Sequence, residues 1–212
     1  MSSLWTENIE MPEFPTLEKD IRTQVLIIGG GMAGVLCAYF LQQAGVDYCL
    51  LEKDRICQGV TGHTTAKITA QHGLIYEKSL QSMGQERAEL FLKANLRAVE
   101  NYKNLGRFLD CDMEETDSYL YSVRERRKLE SEIQALGSLG FQADYTEDTE
   151  LPFEVEGAIR FPRQAQFQPL KFAAGISKNL RIYEHSEVRE MTEYFALTEK
   201  GSVAAEKIII AT

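Results

Sequence analysis

Three glycines and one glutamate have the types and spacing needed to bind a phosphate and a sugar. Gly29, Gly31 and Gly34 follow four apolar residues, 25–28, that are typical of a buried strand. In this spacing the first glycine permits a tight turn. The second lets backbone approach a pyrophosphate, and the third lets a helix pack closely on the strand. Glu52 ends the next predicted strand, where a carboxylate can bind two ribose hydroxyls and would repel the 2′-phosphate of NADP. The pattern predicts a dinucleotide site.

The elements that must position these residues are a strand, a helix and a second strand. Residues 32–44 contain no proline and predict a helix whose positive dipole end faces the phosphates. Gly45 suits its C-terminal cap, and Tyr48–Leu51 predicts the second strand. The alternative is a strand–helix–strand unit with a glycine-rich turn and no ligand. The predicted apolar face of the helix comprises Ala33, Leu36, Cys37, Phe40, Leu41 and Ala44.

A hydroxyl-rich segment follows the second strand and would lie beside a bound cofactor. It comprises Thr61, Gly62, His63, Thr64 and Thr65. Its hydroxyl and N–H groups can hydrogen-bond phosphates or a cofactor ring, and this is the favoured interpretation. The alternative is a surface turn followed by a helix that begins at Thr64 or Thr65.

The rest of the chain mixes helical and strand patterns. The other predicted helices span 85–109, 124–139 and 169–179. The other predicted strands span 117–123, 141–145, 156–161, 180–184, 187–191, 194–198, 202–205 and 207–212. The last of these has the apolar sequence of a buried strand, and the elements that would cover it are missing. We therefore expect that the chain continues beyond Thr212 or is a fragment. Alone, it should expose an apolar sheet edge, self-associate and bind FAD too poorly for activity, because part of the flavin site is missing.

Composition limits the classes of partner and compartment. The 212 residues carry a net charge of −9 and are 44% hydrophobic, which argues against nucleic-acid binding and allows a sizeable core. There is no signal-peptide pattern and no apolar run of membrane-spanning length, so we expect no membrane partner. The four cysteines are scattered, with Cys37 and Cys49 at predicted core positions, and this favours a reducing, cytoplasmic location.

Three stretches carry a resemblance to a known family. They are Gly29–Glu52, Gln164–Leu170 and Lys207–Thr212. Together they resemble the N-terminal half of the D-amino-acid-oxidase-like FAD-dependent oxidoreductases, which include glycine and sarcosine oxidases. The likeness covers most of residues 22–212. The TTAKITAQHGLIY stretch is especially similar to a bacterial subgroup with a C-terminal Rieske domain, although the Cys and His ligand set of a Rieske centre is absent from this sequence.

The resemblance implies FAD as the cofactor and no metal site. It places the Val188 backbone at the adenine, Thr61–Thr65 on the flavin side, and the chain end at the flavin nucleotide. The cofactor-binding residues expected in all are Gly29, Gly31, Met32, Ala33, Gly34, Glu52, Lys53, Thr61, Gly62, His63, Thr64, Thr65, Val188, Ala211 and Thr212.

The expected fold is α/β: a Rossmann-like FAD-binding domain interrupted by part of a mixed α+β substrate domain. The arm spans 1–20, the FAD-binding domain 21–75 and 166–212, and the partial substrate domain 76–165. The expected function is oxidation of a small amine or amino acid by hydride transfer to flavin. The alternatives are an NAD-dependent dehydrogenase and a non-catalytic nucleotide-binding module or fragment.

The sequence does not identify a catalytic base. His63 is the best-placed titratable group, although a hydrogen bond that stabilises its loop is the favoured role. Tyr119 and Tyr121 either line a substrate pocket or pack in the core, with the core favoured. In the arm, Trp5 and Phe14 either dock on the surface or belong to a loose tail.

Overall fold

The structure, a computed structural model, describes residues 9–212, so the docking of Trp5 lies outside the described residues. The chain divides into two compact units. Unit 1 comprises Met1–Thr65, Leu109–Cys111 and Gln168–Thr212, and unit 2 comprises Ala66–Phe108 and Asp112–Phe167. Within residues 9–212, no helix has the length and apolar character required to cross a membrane.

The described elements follow one another in a mixed order. They are β1 (Ile21–Ile28), α1 (Met32–Gln43), β2 (Tyr48–Leu51), a short 3-10 helix (Val60–His63), β3 (Lys67–Ile68), α2 (Tyr76–Gly106), β4 (Glu114–Ser122), α3 (Arg126–Ser138), β5 (Asp144–Thr146), β6 (Gly157–Gln166), α4 (Pro169–Ser177), β7 (Ile182–Tyr183), β8 (Glu190–Met191), β9 (Phe195–Leu197) and β10 (Ser202–Ile210).

The sheet of unit 1 brings distant parts of the chain together. Its described strands lie in the order β7-β2-β1-β10-β9-β8. The first four are parallel to one another, β9 is antiparallel to β10, and β8 is antiparallel to β9. Ile28 pairs with both Leu51 and Ile210, so the carboxyl ends of β2, β1 and β10 meet at one edge. The strands predicted at 25–28 and 48–51 and the apolar run that begins at residue 207 thus lie side by side in one sheet, and the predicted α/β fold class is confirmed.

Helix α1 forms where it was predicted, but it buries a different face. Its buried residues are Gly34, Val35 and Ala38, whereas Phe40, on the predicted face, is half exposed. Cys37 is also only partly buried, which corrects its predicted core position. Small residues decide the outcome, because they allow the helix backbone to approach the sheet more closely than larger apolar side chains would.

The end of the chain also differs from expectation. The two strands predicted at 202–205 and 207–212 form one strand, β10, which pairs with β1 on one side and β9 on the other. Its last residues are not fully buried, and Ile210 is 60% exposed. The apolar run is therefore explained by sheet pairing more than by burial.

Unit 2 is built around β6, which pairs antiparallel with β3, β4 and β5. On one face Phe161 stacks against Tyr76 of α2 and Phe141, with ring centroids 6.2 and 4.8 Å apart. Tyr119 and Tyr121 lie on β4 and are nearly half exposed, so the favoured core packing is wrong. These two side chains alternate with half-buried residues along the strand, as expected for a sheet with one open face.

Helix α2 begins earlier than the predicted residue 85, at Tyr76. A break at Gly84, with φ of 77° and ψ of 170°, separates a first short stretch from the predicted helix. Glycine adopts this positive φ without the steric cost that a Cβ would carry. The helical spacing of apolar residues begins again after the break, and for this reason the predicted helix begins at residue 85.

Candidate functional site

The glycine-rich turn joins β1 to α1 at the carboxyl edge of the sheet. Gly29 has φ of +109°, and a Cβ there would lie 2.6 Å from the carbonyl oxygen of Ala211. The Gly29 N–H donates to the Leu51 carbonyl at 2.8 Å, and the Ala211 N–H donates to the Ile28 carbonyl at 2.8 Å. The turn therefore lies in close contact with the chain that follows β10, which only glycine at position 29 permits.

Gly34 and Gly31 have different reasons to be glycine. A Cβ on Gly34 would lie 1.9 Å from the Gly29 carbonyl oxygen, so helix packing alone requires glycine there. A Cβ on Gly31 would meet nothing closer than the Thr61 hydroxyl oxygen, at 4.0 Å. Gly31 also has φ of −71°, which any residue adopts. Neither packing nor backbone conformation explains the glycine at position 31.

Glu52 follows β2 and is held by two backbone N–H groups. One carboxylate oxygen accepts from Gly30 at 2.6 Å, and the other accepts from Asp54 at 3.0 Å. A carboxylate has about four lone-pair positions, so two such bonds leave acceptor capacity for a ligand. The arrangement fixes the direction of the carboxylate and keeps it able to accept ribose hydroxyls.

These groups border a cavity of about 850 Å³ within unit 1, a volume in the range of cofactor sites. Ten of the predicted residues line it: Gly29, Gly31, Met32, Ala33, Glu52, Lys53, Thr61, Val188, Ala211 and Thr212. The predicted residues Gly34, Gly62, His63, Thr64 and Thr65 are described but do not belong to the lining.

The N-terminus of α1 opens onto this cavity without a side-chain cap of its own. Gly31 is the N-cap residue and offers no side chain, while the Met32 N–H donates to the Thr61 hydroxyl at 3.2 Å. First-turn N–H groups and the helix dipole favour an anion at such a terminus. The open space at Gly31 and the donors beside it fit a pyrophosphate.

The hydroxyl-rich segment forms the 3-10 helix Val60–His63, and Thr61 is its contact with the glycine turn. His63 is exposed, and its Nδ1 lies 3.1 Å from the Gly59 carbonyl oxygen within the same loop. No described helix begins at Thr64 or Thr65, since β3 follows at Lys67, so that alternative is wrong. The segment borders the cavity mainly through Val60 and Thr61.

Sequence patterns gave no sign of Cys57, which also lines the cavity. It has φ of 60°, and its thiol donates to the Gly30 carbonyl at 3.6 Å. Burial raises the pKa of the Cys57 thiol to about 12, so the group stays protonated at neutral pH. Cys57 therefore supports the glycine turn as a protonated thiol.

Val188 and Ser186 bring a distant part of the chain to the cavity. Val188 packs partly against a core cluster that includes Leu26, Leu51 and Val203, and it precedes the short strand β8. The Ser186 N–H donates to the Glu52 carbonyl at 2.8 Å, which attaches this segment to the end of β2. Only a contact across more than a hundred residues brings Ser186 here, so local sequence gives no signal for it.

Clusters of metal-ligating side chains are not found in the part of the chain that the structure describes. No cluster of three or more His, Cys, Asp or Glu side chains suited to a metal ion occurs among residues 9–212. No disulfide forms among these residues either. The polar groups at the cavity include backbone N–H donors, the Thr61 hydroxyl and the acceptor oxygens of Glu52, a set that suits an organic phosphate ligand with sugar hydroxyls.

Comparison with known proteins gives a consistent result. A sequence model of the FAD dependent oxidoreductase family, DAO, matches residues 24–212. A protein of Bacillus subtilis (strain 168), YhfW, whose name describes a Rieske 2Fe-2S iron-sulfur protein, is 35% identical over 191 residues. That match covers 86% of this chain and 38% of YhfW. The expected similarity to a Rieske-bearing subgroup is confirmed.

Other relatives are more distant. Gamma-glutamylputrescine oxidoreductase of Escherichia coli is 24% identical, with 93% of this chain and 50% of that protein covered. The solved L-proline dehydrogenase from P. horikoshii has a TM-score of 0.72 at 20% identity, covering 94% of this chain and 54% of that one. Glycine oxidase from Geobacillus kaustophilus has a TM-score of 0.64 at 20% identity, covering 90% and 55%. The chain thus spans about half or less of these proteins.

Proposed function

The chain belongs to the FAD-dependent oxidoreductase family, and on that premise we propose that unit 1 holds FAD in the cavity bordered by the glycine turn and Glu52. The supporting observation concerns Gly31. In the protein without a ligand, this position has room for a Cβ, and its φ is one that any residue adopts. A ligand that occupies this space explains the absence of a side chain. The proposed FAD-binding domain is the one assigned to residues 21–75 and 166–212, with 76–165 as part of a substrate domain.

The residues present divide the binding of FAD among them. The N-terminus of α1, from Gly31 and Met32, with the Thr61 hydroxyl, would hold the pyrophosphate. Glu52 would accept from the ribose hydroxyls, and Val188 would lie beside the adenine. Ala211 and Thr212 would approach the flavin nucleotide. His63 is assigned to stabilising its loop through the Gly59 carbonyl.

The proposed activity is oxidation of a small amine or amino acid. Bound flavin supplies the chemistry by accepting a hydride from a substrate carbon. The substrate class is supported by relatives whose names specify gamma-glutamylputrescine, glycine and L-proline as substrates. The absence of disulfides among the described residues supports a reducing, cytoplasmic location.

One experiment tests cofactor and activity together. The protein is purified without added flavin, its visible spectrum is recorded, and the nucleotide released on denaturation is identified by chromatography. For the full-length protein we expect FAD at about one per chain, and bleaching of the flavin bands when amines or amino acids are added without oxygen. Release of NAD, or of no nucleotide after reconstitution with FAD, would refute the cofactor. Bound FAD that no amine or amino acid bleaches would refute the substrate class alone.

Glu52→Ala tests the ribose contact. Loss of charge-assisted hydrogen bonds should weaken FAD binding by roughly 1.5–3 kcal/mol, or about ten- to a hundred-fold in Kd. Asp54→Asn is the matched control, because Asp54 lines the same cavity but uses its backbone N–H, and not its carboxylate, to bind Glu52. Equal FAD affinity in Glu52→Ala and wild type would exclude the assigned role.

A further inference from the structure

Glu184 is a buried carboxylate that the proposed function does not use. It follows β7, is 2% exposed, and does not line the cavity. Burial of a carboxylate is costly unless donors compensate it. One oxygen of Glu184 accepts from the Ile56 N–H at 2.8 Å. The other accepts from the Phe14 N–H at 3.2 Å and lies 3.7 Å from Nε of Arg55.

Two of these partners belong to the segment 52–57, which begins with the ribose-binding Glu52. Backbone hydrogen bonds join this segment to residues 183–186 at several points. Glu52 N–H donates to the Tyr183 carbonyl at 2.9 Å, and the His185 N–H donates to the Asp54 carbonyl at 3.0 Å. The Glu184 side chain extends this attachment to Ile56, so both ends of the segment are fixed.

The N-terminal segment closes over the same carboxylate. The Glu184 N–H donates to the Pro15 carbonyl at 3.1 Å, and the Leu17 N–H donates to the Ser186 hydroxyl at 3.0 Å. Arg55 donates to the carbonyls of Met11 and Pro12 at 3.3 and 3.2 Å. These contacts exclude water from Glu184, which strengthens its hydrogen bonds. Phe14 is accordingly half buried, so of the two alternatives for this residue, docking on the surface is the one observed.

We infer that Glu184 is a positioning residue for the adenosine half of the cofactor. By holding Arg55 and Ile56, it fixes the loop whose Asp54 N–H orients the Glu52 carboxylate. Glu184 does not touch the ligand and acts through Glu52. The inference rests on the proposed function, since it assumes that Glu52 binds the ribose of FAD.

The test measures coupling between Glu184 and the ribose hydroxyls. The full protein, freed of flavin, is titrated calorimetrically with ADP and with 2′,3′-dideoxy-ADP. Wild type should bind ADP more tightly than the dideoxy compound, because Glu52 accepts from the hydroxyls. Glu184→Ala should weaken ADP binding by about ten-fold, which is the low end of the loss measured when a group that orients a metal ligand is removed. It should leave the dideoxy affinity nearly unchanged, so the ratio of the two affinities collapses.

Glu132→Ala is the matched control. Glu132 is 1% exposed and accepts from the N–H groups of Tyr76 and Glu77, both at 2.8 Å, but it belongs to unit 2. It should lower thermal stability and leave the affinity ratio at the wild-type value. If Glu184→Ala does not fold, Glu184→Gln replaces it, since an amide oxygen still accepts from Ile56, and the ratio should fall less but in the same direction.

Two results would overturn the inference. A Glu184 variant that keeps the wild-type ratio, whether or not it weakens both ligands equally, would show that the carboxylate is only structural. Wild type that binds ADP and dideoxy-ADP equally would show that Glu52 does not bind ribose. Wild type that binds neither ADP nor FAD would refute the proposed function itself, which is a distinguishable outcome.

Discussion

Unit 1 and unit 2 each bury a carboxylate, and each puts it to a different use. Glu132 in unit 2 accepts from the first N–H groups of α2 and thereby caps that helix. Glu184 in unit 1 accepts from Phe14 of the N-terminal segment and from Ile56 of the loop after β2. The same chemistry holds a helix end in one unit and the border of a cavity in the other.

The glycines repeat this difference. In unit 2 a Cβ on Gly157 would lie 2.2 Å from the Tyr145 hydroxyl oxygen and 2.5 Å from its ring carbon, so packing requires glycine. Gly34 of unit 1 is of the same kind, whereas Gly31 has open space. Gly31 is half buried and lines the cavity. The comparison teaches that a glycine without a packing reason, beside a cavity, marks where a ligand approaches.

The largest expected effect comes from Gly34→Ala, because close packing is the reason for glycine at this position. The new Cβ would lie 1.9 Å from the Gly29 carbonyl, and backbone atoms cannot move away cheaply. We expect the free energy of unfolding to fall by about 3 kcal/mol, the upper part of the range for overpacking. Urea denaturation followed by circular dichroism measures it. Wild-type stability would show that α1 does not pack as described.

Glu132→Ala tests the carboxylate of unit 2. Two buried N–H groups would lose a charged acceptor, so the free energy of unfolding should fall by about 2 kcal/mol. FAD affinity should stay at the wild-type value, because Glu132 does not line the cavity. Urea denaturation and FAD titration of the same preparation check both parts. A matching loss of FAD affinity would contradict the division of roles between the units.

The thiols of unit 1 predict a pH dependence of stability. Burial raises the pKa of Cys49 and Cys57 from 9.0 to about 12. The unfolded chain therefore loses these protons first, and the stabilisation is complete below pH 9 and lost as pH rises towards 12. By pH 10 the loss should be about 1 kcal/mol per thiol. Urea denaturation at pH 8 and pH 10 measures it, and Cys49→Ala should reduce the dependence of stability on pH.

Gly137→Ala should have the smallest effect and the opposite sign. Gly137 lies in α3, where a Cβ would meet nothing within 4 Å. Alanine in a helix should raise the free energy of unfolding by about 0.5–1 kcal/mol and leave FAD affinity unchanged. The same denaturation assay detects it. A destabilised variant would show that open space at a glycine is not a reliable sign of tolerance.

The local parts of unit 1 were predictable because short-range rules determine them. The turn from β1 to α1 and the strand Tyr48–Leu51 follow from glycine spacing and apolar runs. The buried face of α1 did not follow, because periodicity registers apolar character, whereas the small size of Gly34 and Ala38 decides the packing. The break at Gly84 explains why only the second part of α2 was predicted.

The contacts that fix the cavity were not predictable, because they join distant residues. Glu184 accepts from Ile56 across 128 positions and from Phe14 across 170. Cys57 contacts Gly30 only because the loop after β2 folds back with a positive φ.

Tyr119 was expected in the core, and only the open face of the unit 2 sheet shows otherwise. No local pattern encodes which sheet face remains uncovered.

The most direct test of the account is the FAD affinity of Gly31→Val, measured beside its stability. The flavin-free protein is titrated with FAD by calorimetry, and its unfolding is followed in urea. The account predicts near wild-type stability, since the structure has room at Gly31, and a Kd raised by about a hundred-fold, the equivalent of roughly 3 kcal/mol. Wild-type FAD affinity in a folded Gly31→Val protein would contradict the claim that this cavity binds the cofactor.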